Sequence, residues 1–132
     1  MRRQYHFRNS EKGLLAWDVH RLIALSRDLP VMHVALAEIA ELDEPYWFAR
    51  TDPHPTVRDI AEHARLISDV DLTVPILMCP EGRAMDGMHR VARAFMEGHT
   101  TIAARQFLVL PEPDHTNVDP AELDYEALEL AP

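Results

Sequence analysis

Met85-Asp86-Gly87-Met88-His89-Arg90 lies where an apolar, strand-like run gives way to a helix-like one. A strand that passes through glycine into a helix N-terminus aims unpaired backbone N–H groups and the positive end of the helix dipole at one point. An anion fits there. His89 and Arg90 in the first helical turn add an imidazole and a forked cation, the equipment for holding phosphate oxygens. The alternative is that Asp86 caps the helix while His89 and Arg90 are simply solvated.

Working outward, Val74 to Cys79 reads as a compact apolar strand, Pro80-Glu81-Gly82 as a turn, and Arg83-Ala84-Met85 as the antiparallel return. Val91, Ala92, Phe95 and Met96 make the apolar face of the helix after Gly87, which Gly98 terminates. Ile102 to Val109 follows as the last core strand. Thr56 with Asp59 three residues on forms a capping-box pattern, and Val57, Ile60, Ala61, Ala64 and Ile67 supply one face of a helix ending near Ser68. Further upstream, Val31 to Leu36 reads as a strand, Ala37 to Leu42 as a helical turn, and the proline-rich stretch from Asp43 to Pro55 as a loop. Leu15, Val19, Leu22, Ile23 and Leu29 predict an amphipathic helix over Leu14 to Asp28, with Trp17 capping it or packed on it. After Leu110 the prolines at 111 and 113 turn the chain away from the core. Asp119-Pro120 starts a short acidic helix using Leu123, Leu128 and Leu130. The tail should therefore be dispensable for the core.

The chain has 132 residues, room for one core, and no internal repeat. Its N-terminal segment lacks the apolar core of a signal peptide and no run approaches membrane-spanning length, so a cytoplasmic protein with no membrane partner is expected. Cys79 is the only cysteine, which excludes an intrachain disulfide and a cysteine-built zinc site; it reads as a small buried apolar residue. The histidines show no His-x-x-x-His spacing. Of the formal charge of −9, seven acidic residues lie beyond Arg105 with no Lys or Arg among them. Up to and including Arg105, 13 basic residues face 15 acidic ones, so no basic excess is there to displace counterions from a nucleic acid.

Asp86-Gly87-X-His89-Arg90 after a strand and before an apolar helix resembles the signature of the ParB/sulfiredoxin-like superfamily. The similarity covers the order of elements from Val31 to Phe107. It implies an α/β domain over 1–110, a small mixed sheet flanked by helices, with an acidic C-terminal arm over 111–132. In sulfiredoxins the corner reads Gly-Cys-His-Arg; here Met88 replaces the cysteine, and a thioether cannot be that nucleophile. In ParB proteins it resembles Gly-Glu-Arg-Arg, with nucleotide binding coupled to DNA clamping, whereas this chain has His89 and no following helix-turn-helix. The corner is most similar to the Asp-Gly-His-His-Arg of free serine kinases with this fold. That resemblance implies a bound nucleotide (ATP, ADP or CTP), Mg²⁺, and phosphoryl transfer to a small-molecule acceptor or hydrolysis.

On that basis Gly87, Met88, His89 and Arg90 form the phosphate site, and Asp86 holds Mg²⁺ or orients His89. Glu38 resembles the acidic position after the first core strand in the kinases and is the candidate base, with Glu41 and Glu44 as rivals. Trp47, within Tyr46-Trp47-Phe48, either stacks a base or closes the core. His54 and Arg58, around the start of a helix, either contact an anion or face solvent. A nucleotide-sensing or protein-interaction module, and the nuclease activity often attached to ParB-like domains, are the alternative functions; a homo-oligomer is compatible with all of them.

Overall fold

The computed structural model describes residues 4–48 and 54–125. The chain divides into two compact units, 1–28 with 109–132, and 29–108. Both are mixtures of helix and strand, each with its own small sheet.

The unit holding the candidate corner opens with β3 (Met32–Ala35), preceded in the other unit by β1 (Tyr5–Ser10), β2 (Gly13–Asp18) and α1 (Val19–Leu25). Two 3₁₀ turns follow, Leu36–Glu38 and Ala40–Asp43, in place of the expected single helical turn. Then come α2 (Val57–Asp69), β4 (Ile76–Met78), β5 (Ala84–Asp86), α3 (Met88–Met96) and β6 (Thr101–Gln106). The strand order is β3-β6-β4-β5: β3 and β5 are antiparallel to their neighbours, while β4 runs parallel to β6. This is a mixed sheet. The parallel pair arises because α3 carries the chain from β5 back across the sheet. Ile76, Met78, Ile102 and Ala104 from the sheet pack with Met88, Val91 and Ala94 from α3 and with Leu36 and Ile39 from the 3₁₀ segment.

The capping box forms as expected: the Thr56 hydroxyl accepts from the Asp59 N–H, and the Asp59 carboxylate accepts from the Thr56 N–H. The apolar face predicted for that helix does not become core. Val57 is 87% exposed and Ile60 51%, and no residue of α2 is fully buried. The less exposed side is instead Asp59, His63 and Ile67, which share one face at i, i+4 and i+8. Polar anchors hold the helix: the Arg93 guanidinium donates to the carbonyls of Ser68 and Val70 at its C-terminal end. Similarly, α3 buries Met88, Val91 and Ala94, whereas Phe95 and Met96, assigned to its inner face from the sequence, are exposed.

The other unit departs further from expectation. Instead of one helix from Leu14 to Asp28, the chain forms a β1-β2 hairpin closed at Ser10 and Gly13, and α1 begins only at Val19. The Asp18 carboxylate caps α1 by accepting from the His20 N–H, which stops the helix from extending upstream. Trp17 lies in β2, fully buried, and its indole N–H donates to the Pro111 carbonyl at 2.7 Å. The segment expected to turn away from the rest of the chain thus packs on the N-terminal hairpin within this unit. Within it, β7 (His115–Thr116) pairs antiparallel with β2, and the Asp114 carboxylate accepts from the Asp18 N–H and from Arg21. Leu123 is buried, and Tyr125 meets Tyr5 edge to face. Asp119 caps a turn as predicted, but the turn is a 3₁₀ one over Pro120–Glu122; the calls on Leu128 and Leu130 fall outside the described residues.

Candidate functional site

The strand β5 ends at Asp86, and Gly87 then takes φ 106°, ψ 22°, a left-handed conformation that turns the chain directly into α3. No side chain caps this helix N-terminus. The first N–H groups of an α-helix, here those of Met88 and His89, have no intrahelical acceptor. Arg90 folds back over the turn. Its Nη2 donates to Asp86 Oδ2 at 2.9 Å, and a Cβ added at Gly87 would lie 2.7 Å from that same nitrogen. Glycine is required here twice, by its φ and by the guanidinium lying against it.

His89 and Arg90 therefore both flank the uncapped turn, as the sequence suggested, but each is already engaged. The Asp86 carboxylate is tied to Arg90 and does not cap α3. Among the described residues no group of three His, Cys, Asp or Glu side chains is arranged to hold a metal ion. Met88 is buried in the core, so only its backbone N–H is offered to a ligand. Glu38 is exposed and lines a concavity with His33, Glu81 and Gln106. It follows β3, at the sheet end shared with the corner, but β3 and β5 are opposite edge strands, about 14 Å apart across two intervening strands. Glu41 is 2% exposed and accepts from the Ala84 N–H, holding the 3₁₀ segment to β5. Glu44 forms a two-point pair with Arg83 at 2.7 and 2.8 Å, which holds its carboxyl below the usual range. His54 and Arg58 are exposed.

His63 is the residue that sequence reasoning missed. Its Nδ1 lies 2.8 Å from His89 Nε2, and the two rings are within 18° of parallel with centroids 5.1 Å apart. That is an edge-to-edge hydrogen-bonded pair rather than a stack. The Trp47 indole lies flat over both imidazoles, at 4.4 Å from His63 and 4.5 Å from His89. Trp47 also packs against the core cluster, and the two imidazoles already cover one face of the indole. The two histidines are 26 residues apart, and nothing in their spacing signals the meeting. The only hint was the capping box, which fixes the phase of α2 and so puts Asp59 and His63 on one face.

Burial pushes His89 down to about 4, with contributions from the neighbouring His63 and Arg90. His63 is lowered too, mainly by burial, while Asp59 and Glu62 pull it back up. Both shifts favour the neutral ring, and a hydrogen bond between two neutral imidazoles uses the N–H of one and the lone pair of the other. Because folded His89 binds its proton less readily than the unfolded chain, its contribution to stability is complete above about pH 6.5 and is lost as pH falls towards 4. We expect urea unfolding at pH 5 to give a stability about 1 to 2 kcal/mol below that at pH 7.5, after allowance for solvent screening. The drop should shrink in His89→Gln, and a flat profile in the wild type would refute the burial argument.

No helix among the described residues is long and apolar enough to cross a membrane. Comparison with protein-family models, curated proteins and solved structures finds no match to this chain.

Proposed function

We propose that the unit spanning 29–108 is a nucleotide-binding domain of the ParB/sulfiredoxin-like kind, which receives phosphate at the α3 N-terminus and acts on a phosphoryl group as a small-molecule kinase or nucleotide hydrolase. The observation that carries this reading is the uncapped turn at Gly87 with the Arg90 guanidinium lying against it. The strand-turn-helix context and the similarity of Asp86-Gly87-Met88-His89-Arg90 to the free serine kinase corner support it. Mg²⁺ would arrive with the nucleotide, as part of the substrate, since Asp86 is already paired with Arg90. The candidate carboxylates favour a second reading, binding without turnover. Asp86, Glu41 and Glu44 are all engaged in internal contacts, and Glu38 lies beyond the far edge strand.

Calorimetric titration of ATP, ADP and CTP, with and without Mg²⁺, tests the binding. Arg90→Ala should weaken it by roughly tenfold to more than a hundredfold, because a charge-assisted hydrogen bond is worth about 1.5 to 3 kcal/mol. Arg90→Lys should restore only part, having lost the planar fork. A folded Arg90→Ala protein that binds as well as wild type places the phosphate elsewhere. Mg²⁺-dependent turnover separates the enzyme from the sensor.

A further inference from the structure

We propose that His63 is the positioning and proton-passing partner of His89, the two imidazoles forming a relay that carries the proton of the attacking hydroxyl from the phosphate corner to solvent. This rests on the phosphoryl-transfer reading above. It goes beyond that reading in assigning a role to α2, which otherwise supplies nothing to the site.

Three features of the geometry converge on it. The hydrogen bond engages His89 through Nε2, so Nδ1 is the ring nitrogen left for substrate. Trp47 covers both rings, so neither imidazole can swing out of the common plane without losing the indole contact. His63 is itself only partly buried, on a helix none of whose residues is fully buried, and the relay takes its remaining nitrogen as the exit to water. Charges bias the direction of travel. Arg90, beside His89 on α3, disfavours a cation there, while Asp59 and Glu62, beside His63 on α2, favour one. Phe48 meets His63 edge-on from the loop and adds no charge.

The step balances without an oxidant or reductant. The hydroxyl of water or of an acceptor gives its proton to His89 Nδ1 as its oxygen bonds to the terminal phosphorus. The bond from that phosphorus to the bridging oxygen breaks, and its electron pair leaves with the shortened nucleotide. The Nε2 proton of His89 passes to His63 Nδ1, and the Nε2 proton of His63 goes to water. Solvent exchange resets both tautomers after product leaves.

Hydrolysis of ATP with Mg²⁺ is compared in the wild type, His63→Phe, which retains an aromatic ring against Trp47, and His63→Asn, whose amide can replace Nδ1 as hydrogen-bond partner but cannot pass a proton through. We expect His63→Phe to keep KM within about twofold and to lose about a hundredfold in kcat, the lower range of general acid-base contributions. His63→Asn should recover part of that loss by restoring the orientation of His89. A folded His63→Phe protein with wild-type kcat, or one whose loss lies in KM, overturns the relay and leaves the phosphoryl-transfer reading standing. A wild type that releases no phosphate overturns the hydrolase form of that reading and, with it, a relay that takes its proton from water. Should the variants fail to fold, ¹⁵N spectra of the wild-type imidazoles decide. Scalar coupling across the His63–His89 hydrogen bond supports the relay, and two rings titrating independently overturn it.

Discussion

Ending the chain at Leu110 is expected to abolish the fold of the unit containing Trp17. The cut removes β7 from beside β2, the Pro111 carbonyl that accepts the indole N–H, and Asp114, which receives both the Asp18 N–H and Arg21. It also removes Leu123. What remains of the described unit is a hairpin and the seven-residue α1, and an isolated two-stranded hairpin is at best marginally stable in water. Exposing a fully buried tryptophan alone costs about 3 to 5 kcal/mol by analogy with large-to-small core substitutions, and an orphaned buried donor adds about 1 to 3 kcal/mol. The chain has two tryptophans, so fluorescence in a Trp47→Phe background reports Trp17 alone. Its emission should move to the red in the truncated protein. Blue-shifted emission with an intact melting transition would show the segment to be dispensable, as its prolines and charge suggest when the sequence is read by itself.

Gly87→Ala should be the most damaging single substitution at the corner. An L-residue at φ 106° is strained by about 1 to 2 kcal/mol. The new methyl would also lie 2.7 Å from both Arg90 Nη2 and Ile76 Cγ2, an overlap of the kind that costs a further 1 to 3 kcal/mol, roughly. Together these should lower the melting temperature by about 10 °C or more. Gly98→Ala provides the comparison, since Gly98 has φ 80° but nothing within 4 Å of an added Cβ. It should carry the strain without the collision. Equal melting temperatures for the two variants would mean that Arg90 and Ile76 give way freely. If the corner holds phosphate, Gly87→Ala should weaken nucleotide binding as well, through the displaced guanidinium, whereas Gly98→Ala should not.

Much of the site-bearing unit was legible because its signals are local. The capping box at Thr56 and Asp59 and the turn at Pro80 to Gly82 depend on residues within four positions of each other, and they form where expected. The change from strand to helix through Gly87 is equally local. The N-terminal helix failed for the opposite reason. Leu15, Val19 and Leu22 have helical spacing, but β1 on one side and β7 on the other offer ladder partners to β2, and the second lies about a hundred residues away. Periodicity over a short window cannot register a partner at that distance.

The amino-acid sequence by itself determined the order of strand, glycine turn and helix around the corner, and the nearness of His89 and Arg90 to an α-helix N-terminus. These follow from dihedral sterics and from hydrogen bonds between near neighbours. Tertiary structure alone decided which face of α2 turns inward and that His89 meets His63 beneath Trp47. Those outcomes depend on where separate elements come to rest. An apolar stripe such as Val57, Ile60 and Ala64 specifies a surface that favours burial, but not whether a partner reaches it before Arg93 and Trp47 engage the neighbouring side of the helix.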